Sequence, residues 1–324
     1  MCCGGTTRLT RRAVLRGTLG VVVVAVVSYF FARSLARNWA SLRDDAPEWG
    51  WWIAAVVVLF AAAVTISALW WGRIVSRLAE TRVGPAEAIR VHFASWLLKY
   101  VPGQAGFVVN KVAWAKGRGI SRVAVLLSII YENAFLMIAS LVPMTAVLLV
   151  AHLFGAGEFH PSQAVWVTLV AALAIAVVIH PRIFHAGVNV LSRRTVHREV
   201  SARYFLPTRT SATYTAAYLV PRLINGVGIA LIASVTADAS AGTWLPLTAA
   251  YAIAGAMGIL AVFVPSGLGV RESVFVLLAA PFLSVEDAIV VALTARVLST
   301  VADAVIAAGY GMLALGARRK GERS

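Results

Sequence analysis

Hydrophobic residues along this chain come in long runs that are separated by short, arginine-rich polar stretches. One run, WWIAAVVVLFAAAVTISALWW at 51–71, is long enough to cross a bilayer as a single helix, which takes about 20 residues. The pattern therefore predicts an all-α polytopic membrane protein. Six such runs predict full transmembrane spans at 14–32, 50–71, 122–150, 164–180, 212–235 and 287–314.

Two further apolar stretches, 85–118 and 243–284, are interrupted by proline, glycine and charged residues. VPGQAG at 101–106 breaks the first stretch and VPSGLG at 264–269 breaks the second, and both read V-P-x-x-x-G. Proline lacks an amide donor and glycine frees the backbone, so a helix can end and turn within a few residues. We expect each stretch to form a broken, re-entrant helical hairpin.

The interrupted stretches also allow simpler structures. Either motif is compatible with a plain helix kink or a surface turn. Residues 243–263 are apolar enough to span the membrane fully, with 271–284 as a short return. The charged residues within 86–99 are compatible with an amphipathic helix that lies at the membrane interface.

Basic residues are distributed unequally between the predicted loops. With the N-terminus in the cytoplasm, twenty Lys and Arg side chains fall in inner loops and three in outer loops. This is the positive-inside pattern, and it accounts for most of the formal net charge of +15. We therefore expect a multi-pass protein of the bacterial cell membrane with both termini in the cytoplasm, and no nucleic-acid partner.

This topology gives the two interrupted stretches opposite orientations, the first entering from the cytoplasm and the second from outside. The motif prolines, Pro102 and Pro265, lie about half the chain apart. Each half contains two spans, a broken hairpin and a final span. The sequence therefore predicts an inverted-topology repeat within one integral membrane domain, with halves at 1–160 and 161–324. In such repeats the broken helices meet near the bilayer midplane and form the transport site.

Several ionisable side chains lie within the predicted spans. Glu132, Arg222 and Arg296 each lie about 15 Å into their spans at 1.5 Å per residue. Charges at that depth usually pair, or face a pathway. Glu132 follows Pro102 by 30 residues and Arg296 follows Pro265 by 31. We expect the two to approach each other across the pseudo-twofold axis, as part of a pathway or as a structural ion pair.

Other side chains that could carry chemistry give no enzyme signature. The histidines show no metal-ligand spacing, and we expect them, His92 included, at interfaces or in loops. The ten tryptophans, Trp71 among them, are expected in an aromatic belt at the span ends. Without a phosphate-binding P-loop, a nucleophile or a metal cluster, we expect no enzymatic activity and no cofactor or metal.

YVPGQAGFVVNK at 100–111 and VPSGLGVRES at 264–273 resemble the lysylphosphatidylglycerol synthase transmembrane family, over about residues 10–315. The resemblance implies movement of a polar-headed lipid between leaflets. Aminoacyl-transferring members carry a soluble catalytic domain after the membrane part, whereas this sequence ends about ten residues after its last span, so we expect no aminoacyl-lipid synthesis. The residues that match the family's motif positions are Pro102, Gly103, Gly106, Pro265, Gly269, Arg271 and Glu272.

These features predict a flippase-like lipid translocase whose substrate is an aminoacylated phospholipid or a polyprenyl-linked lipid. We expect arginines to meet phosphate, and carboxylates to meet cationic or hydroxyl groups. The alternatives are a membrane-embedded enzyme or a non-transporting partner of an enzyme of envelope lipid or glycan synthesis. The candidate substrate-binding residues are Pro102, Gly103, Gly106, Lys111, Glu132, Arg222, Pro265, Gly267, Gly269, Arg271, Glu272, Arg296 and Asp303.

Overall fold

The computed structural model describes residues 50–100, 105–154, 201–261 and 267–321, together with four positions within 183–190. These residues form α-helices and short 3-10 turns, without a strand among them, which confirms the all-α class. The eight helices in the four main ranges are α1 Trp51–Ala79, α2 Pro85–Leu97, α3 Ala105–Gly117, α4 Arg122–Phe154, α5 Thr208–Thr236, α6 Trp244–Leu260, α7 Val270–Ala279 and α8 Val285–Gly321.

Five of these described helices, α1, α4, α5, α6 and α8, are long and apolar enough to cross a membrane. The chain is therefore a multi-pass membrane protein. Helices α1, α4, α5 and α8 confirm four of the predicted spans as helices. The predicted spans at 14–32 and 164–180 lie outside the described residues.

Both interrupted stretches contain two helices. Helix α2 is followed by a 3-10 turn, Leu98–Tyr100, and then by α3, and each of these helices has 13 residues. In the second stretch, α6 has 17 residues and α7 has 10. With Ala241–Gly242–Thr243 before it, α6 reaches spanning length, as the full-span alternative requires. Re-entry to the same membrane face stays a prediction for both stretches.

Helix α2 is part of the helical bundle, since it packs against α1, α3 and α8. It buries Val91, His92, Phe93 and Ser95 in these contacts. A helix lying at the membrane interface keeps its polar face in water. The packing of α2 therefore favours a broken segment inside the bundle over an interfacial helix.

The contacts between helices come in matched pairs. Helix α1 packs on α2, α4 and α8 just as α5 packs on α6, α8 and α4. The contact between α6 and α4 corresponds to the contact between α2 and α8. Helix α3 lies against α2 and α4, and its counterpart α7 lies against α6 and α8. Helices α1 and α5 contact each other. Exchanging the first four helices with the last four leaves these contacts unchanged, as the predicted repeat requires.

Small residues allow the helices to cross closely. A Cβ atom built on Gly72 of α1 would lie 2.5 Å from the Cβ of Ala88 on α2. At the matching crossing, a Cβ atom on Gly226 of α5 would overlap the side chain of Thr248 on α6. Close approach at small residues lets van der Waals packing hold helices together in a bilayer, where there is little hydrophobic driving force between them.

Two large apolar clusters and a small third one, formed by Val64, Phe93 and Ile306, make up the described core, and polar side chains lie between the two large clusters. Along α1, one cluster contains Trp52 to Phe60 and the other contains Trp71 to Leu78. The residues Ala63 and Ser67 between them line a cavity. Helix α5 passes through the same two clusters in the opposite order, with Tyr218 in the cluster of Trp71 and Ile229 in the cluster of Trp52. The cavity therefore lies at mid-length in the crossing helices.

Candidate functional site

The cavity has a volume of about 200 Å³, and each of the eight helices described contributes to its wall. Apolar side chains such as Phe60 and Ile306 line part of the wall. The rest of the wall is polar, which is unusual at mid-depth in a membrane protein and typical of a substrate pathway. Its ionisable residues are His92, Lys99, Glu132, Arg222, Tyr251, Arg271, Arg296 and Asp303.

Glu132 forms a buried ion pair with Lys111 behind the cavity wall. Lys111 Nζ donates to Glu132 Oε2 at 2.6 Å, and the two side chains are 0% and 3% exposed. The same ammonium group lies 4.1 Å from the ring centroids of both Trp71 and Phe107. These cation–π contacts replace part of the hydration that Lys111 loses on burial. Lys111 is thus held away from the cavity, although sequence reasoning placed it among the substrate ligands.

Glu272 has a structural role at the start of α7. Its Oε2 accepts a hydrogen bond from the backbone N–H of Gly269 at 2.7 Å, which caps the helix. Gly269 has a φ of +80°, in the region that favours glycine. The other carboxylate oxygen, Oε1, lies 3.8 Å from Arg296 Nη1. Glu272 therefore orients Arg296 as well as the second motif.

The two ion pairs occupy matching places in the fold. Lys111 and Glu132 join α3 to α4, whereas Glu272 and Arg296 join α7 to α8. These helix pairs correspond in the contact pattern, but the acid and the base have changed places. Glu132 and Arg296 line the same cavity, and each is paired within its own half of the chain. Their direct approach across the axis stays a prediction.

Asp303 links the two halves. Its carboxylate accepts hydrogen bonds from Lys99 Nζ at 2.9 Å and from Trp96 Nε1 at 2.7 Å. The Lys99 ammonium group also lies 4.2 Å from the Trp96 ring centroid. Lys99 lies in the 3-10 turn directly before the first motif, so Asp303 fixes the approach to that motif against α8.

Arg222 and Arg271 differ from the other basic residues in the cavity wall. The Nε and Nη2 atoms of Arg222 are buried and make no hydrogen bond to any described residue. The guanidinium of Arg271 lies 4.2 Å above the ring of Tyr251. Within the described ranges, neither arginine has a carboxylate partner. Buried donors without acceptors are costly, and an anion in the cavity would satisfy them.

Gly267 brings the second motif close to α6. Its φ is +64°, and a Cβ atom built there would lie 2.8 Å from the Cα of Gly258. A side chain at this position would push the two backbones apart. Both glycines line the cavity, so this close contact forms part of its wall.

The structure assigns the predicted site residues to different positions. Six of them line the cavity, namely Glu132, Arg222, Gly267, Arg271, Arg296 and Asp303. Lys111, Gly269 and Glu272 support these residues from behind. Gly106, half-buried in the first turn of α3, is not part of the described lining. Pro102, Gly103 and Pro265 lie outside the described residues.

Two predictions about aromatic and imidazole groups were wrong. His92 is 1% exposed and lines the cavity, with Nδ1 3.5 Å from Glu132 Oε1. Trp71 is fully buried, and its Nε1 donates to Ser128 Oγ at 3.0 Å. The sequence does contain a signal for His92, because it shares a helix face with Ser95 and is followed at i+7 by Lys99.

Comparison with known proteins places the chain in a family. No significant match to a curated protein was found. A family model matches residues 17–307, which is most of the chain. The protein therefore belongs to the family described as the lysylphosphatidylglycerol synthase TM region.

Proposed function

We propose that this protein is a lipid translocase that moves a lipid with a phosphate-containing head group between the leaflets of the bacterial cell membrane. The observation that carries the proposal is the placement of Arg222 and Arg271 in the wall of a membrane-embedded cavity without carboxylate partners among the described residues. A lipid phosphate would supply the missing acceptors, and guanidinium groups bind phosphate oxygens in a bidentate manner.

The helix arrangement supports an alternating-access mechanism. The contacts among the first four helices match those among the last four, as two related halves would require, and both sets of helices contribute to the cavity wall. In inverted-repeat transporters, one half rocks against the other around a fixed central site. In this proposal the two V-P-x-x-x-G breaks open toward opposite membrane faces, and both chain termini lie in the cytoplasm.

The remaining polar groups suit the rest of a head group. Asn225 and Ser299 line the cavity near the arginine-bearing segments and could hydrogen-bond to hydroxyl groups. The acyl or prenyl chains would stay in the bilayer while the head group crosses. An enzyme of lipid or glycan synthesis would be the partner that supplies or uses the lipid.

A reconstitution assay tests the proposal. Purified protein is incorporated in liposomes containing head-group-labelled fluorescent lipids, and a membrane-impermeant reductant reports how many labels reach the outer leaflet. We expect leaflet exchange with the wild-type protein and a reduction of about tenfold or more in Arg222→Gln, from the loss of a charged hydrogen bond. Arg209→Gln, an exposed arginine on the same helix, is the matched control and should keep wild-type exchange. Absence of exchange for all anionic, aminoacylated and polyprenyl lipids would contradict the proposal.

A further inference from the structure

We infer that the cavity selects a head group with net negative charge, a phosphate monoester or diester without an attached amino group, and discriminates against cationic aminoacylated lipids. This inference rests on the proposed translocase function and names its substrate class. It runs against the aminoacylated lipid that the family description suggests. The evidence comes from the charges in and directly behind the cavity wall.

The carboxylates at the cavity already have basic partners. Glu132 is paired with Lys111 at 2.6 Å, and Asp303 with Lys99 at 2.8 Å. Glu272 caps α7 and faces Arg296 at 3.8 Å. Each of these pairs is close to neutral as a unit. A head-group ammonium that bound one of these carboxylates would displace its lysine or arginine and leave that base buried without a counter-charge.

Two positive charges remain after these pairs are formed. Arg222 and Arg271 have no carboxylate partner in the ranges that the structure describes. The Nε and Nη2 donors of Arg222 are also unsatisfied there. The described site therefore carries an excess of positive charge that attracts an anion and repels an ammonium group.

Both of these arginines face the same surface of α6. The guanidinium of Arg271 lies 4.2 Å above the ring of Tyr251. The Nη1 atom of Arg222 lies beside Gly255, where a built Cβ atom would come within 3.3 Å. Tyr251 and Gly255 are one turn apart on α6, so they lie on the same helix face. The two guanidinium groups therefore converge on one region of the cavity.

Glycine lets both arginines pack closely against α6 at the cavity wall. Gly255 and Gly258 both line the cavity on α6, with no side chain to fill it. A side chain at Gly255 would meet Arg222, and one at Gly258 would lie 3.6 Å from the Cβ of Arg271. Both arginines and both glycines line the same cavity, so a phosphate group in that cavity would lie beside the two guanidinium groups.

Binding and exchange measured on the same protein test this inference. Detergent-solubilised protein is mixed with phosphatidylglycerol, lysyl-phosphatidylglycerol or phosphatidylcholine, and the apparent affinity is obtained from the rise in the thermal unfolding midpoint. We expect phosphatidylglycerol to bind about tenfold or more tightly than the lysyl form. Arg222→Gln and Arg271→Gln should each remove most of this preference, and Arg209→Gln should keep it.

The outcomes separate the inference from the proposed function. Equal or tighter binding of the lysyl lipid overturns the inference, even when leaflet exchange shows that the protein is a translocase. Selective binding of phosphatidylglycerol without leaflet exchange supports the charge selectivity and contradicts translocation. No stabilisation by any of the three lipids overturns the inference. Inorganic phosphate and glycerol 3-phosphate are tested separately in the same unfolding assay. If they raise the unfolding midpoint as much as phosphatidylglycerol does, the ligand is a free anion and the inference is overturned.

Discussion

Replacing Lys111 by methionine should leave the Glu132 carboxylate uncompensated and strongly destabilise the protein. The two side chains are 0% and 3% exposed, and the Nζ–Oε2 distance is 2.6 Å. Removing one partner of a buried ion pair costs about 3–5 kcal/mol in the free energy of unfolding. Methionine keeps most of the lysine volume and can pack on Trp71 and Phe107, so loss of packing should add little to this cost.

A double-mutant cycle separates charge from packing. Replacing Glu132 by leucine in the Lys111→Met background removes the uncompensated charge. An apolar replacement of a buried pair is often neutral or stabilising. We therefore expect the double variant to recover most of the lost stability, so that the coupling free energy, measured with the Glu132→Leu single variant, exceeds about 3 kcal/mol.

The assay is the free energy of unfolding of the purified protein in mixed micelles. Arg118→Met supplies the matched control, because Arg118 follows α3 directly and its ion pair with Glu87 is solvent-exposed, with side chains 45% and 21% exposed. Exposed pairs contribute less than about 1 kcal/mol. A double variant as unstable as Lys111→Met alone would refute the charge argument, and so would equal losses at Lys111 and Arg118.

Three further predictions concern the close helix crossings and the two breaks. Gly228→Ala should lower the free energy of unfolding by about 1–3 kcal/mol, because the new methyl group would lie 2.7 Å from Phe60 Cε1. The control is Gly117→Ala, which has open space around it and should be neutral or stabilising in the same denaturation experiment. Gly267→Ala should reduce both stability and leaflet exchange, because residue 267 has a φ of +64° and the new Cβ atom would lie 2.8 Å from Gly258 Cα. The control is Gly119→Ala, where φ is +67° but the surrounding space is open, and it should leave exchange intact. In a variant without native cysteines, single cysteines introduced at the two V-P-x-x-x-G motifs should react with impermeant reagents from opposite membrane faces, and labelling of both from one face would contradict the inverted repeat.

The sequence predicted the helices of the described bundle because transmembrane helices follow from local hydrophobicity. The runs at 50–71 and 287–314 needed no tertiary information, since every backbone group in a bilayer must be paired within its own helix. The positions of the two breaks followed in the same way from proline and glycine chemistry. The rise per residue places Arg222 and Arg296 well inside their helices, and both line the cavity.

The partners of the charged residues were not predictable in this way. The structure pairs Glu132 with Lys111 on a neighbouring helix, a contact that the sequence did not indicate. That contact depends on the rotation of α3 about its axis, and the 13 residues of α3 have no clear apolar face to set it. His92 was misplaced for a related reason, because α2 is polar enough to resemble an interfacial helix and becomes buried only through contacts with other helices.

The exchange of acid and base between the α3–α4 and α7–α8 ion pairs makes the bundle electrically unlike its own rotated copy. If two halves with the same charges exchanged conformations, the inward-open and outward-open forms would have equal electrostatic energy. Here the base is on α3 in the first ion pair, whereas the acid is on the corresponding helix α7 in the second. If one half of the chain were rotated onto the other, the dipoles of the two ion pairs would therefore point in opposite directions. In the proposed alternating-access mechanism, we therefore expect the two forms to differ in energy even without substrate, and a membrane voltage to favour one over the other. A translocase built in this way would have a preferred resting orientation set by its own charges.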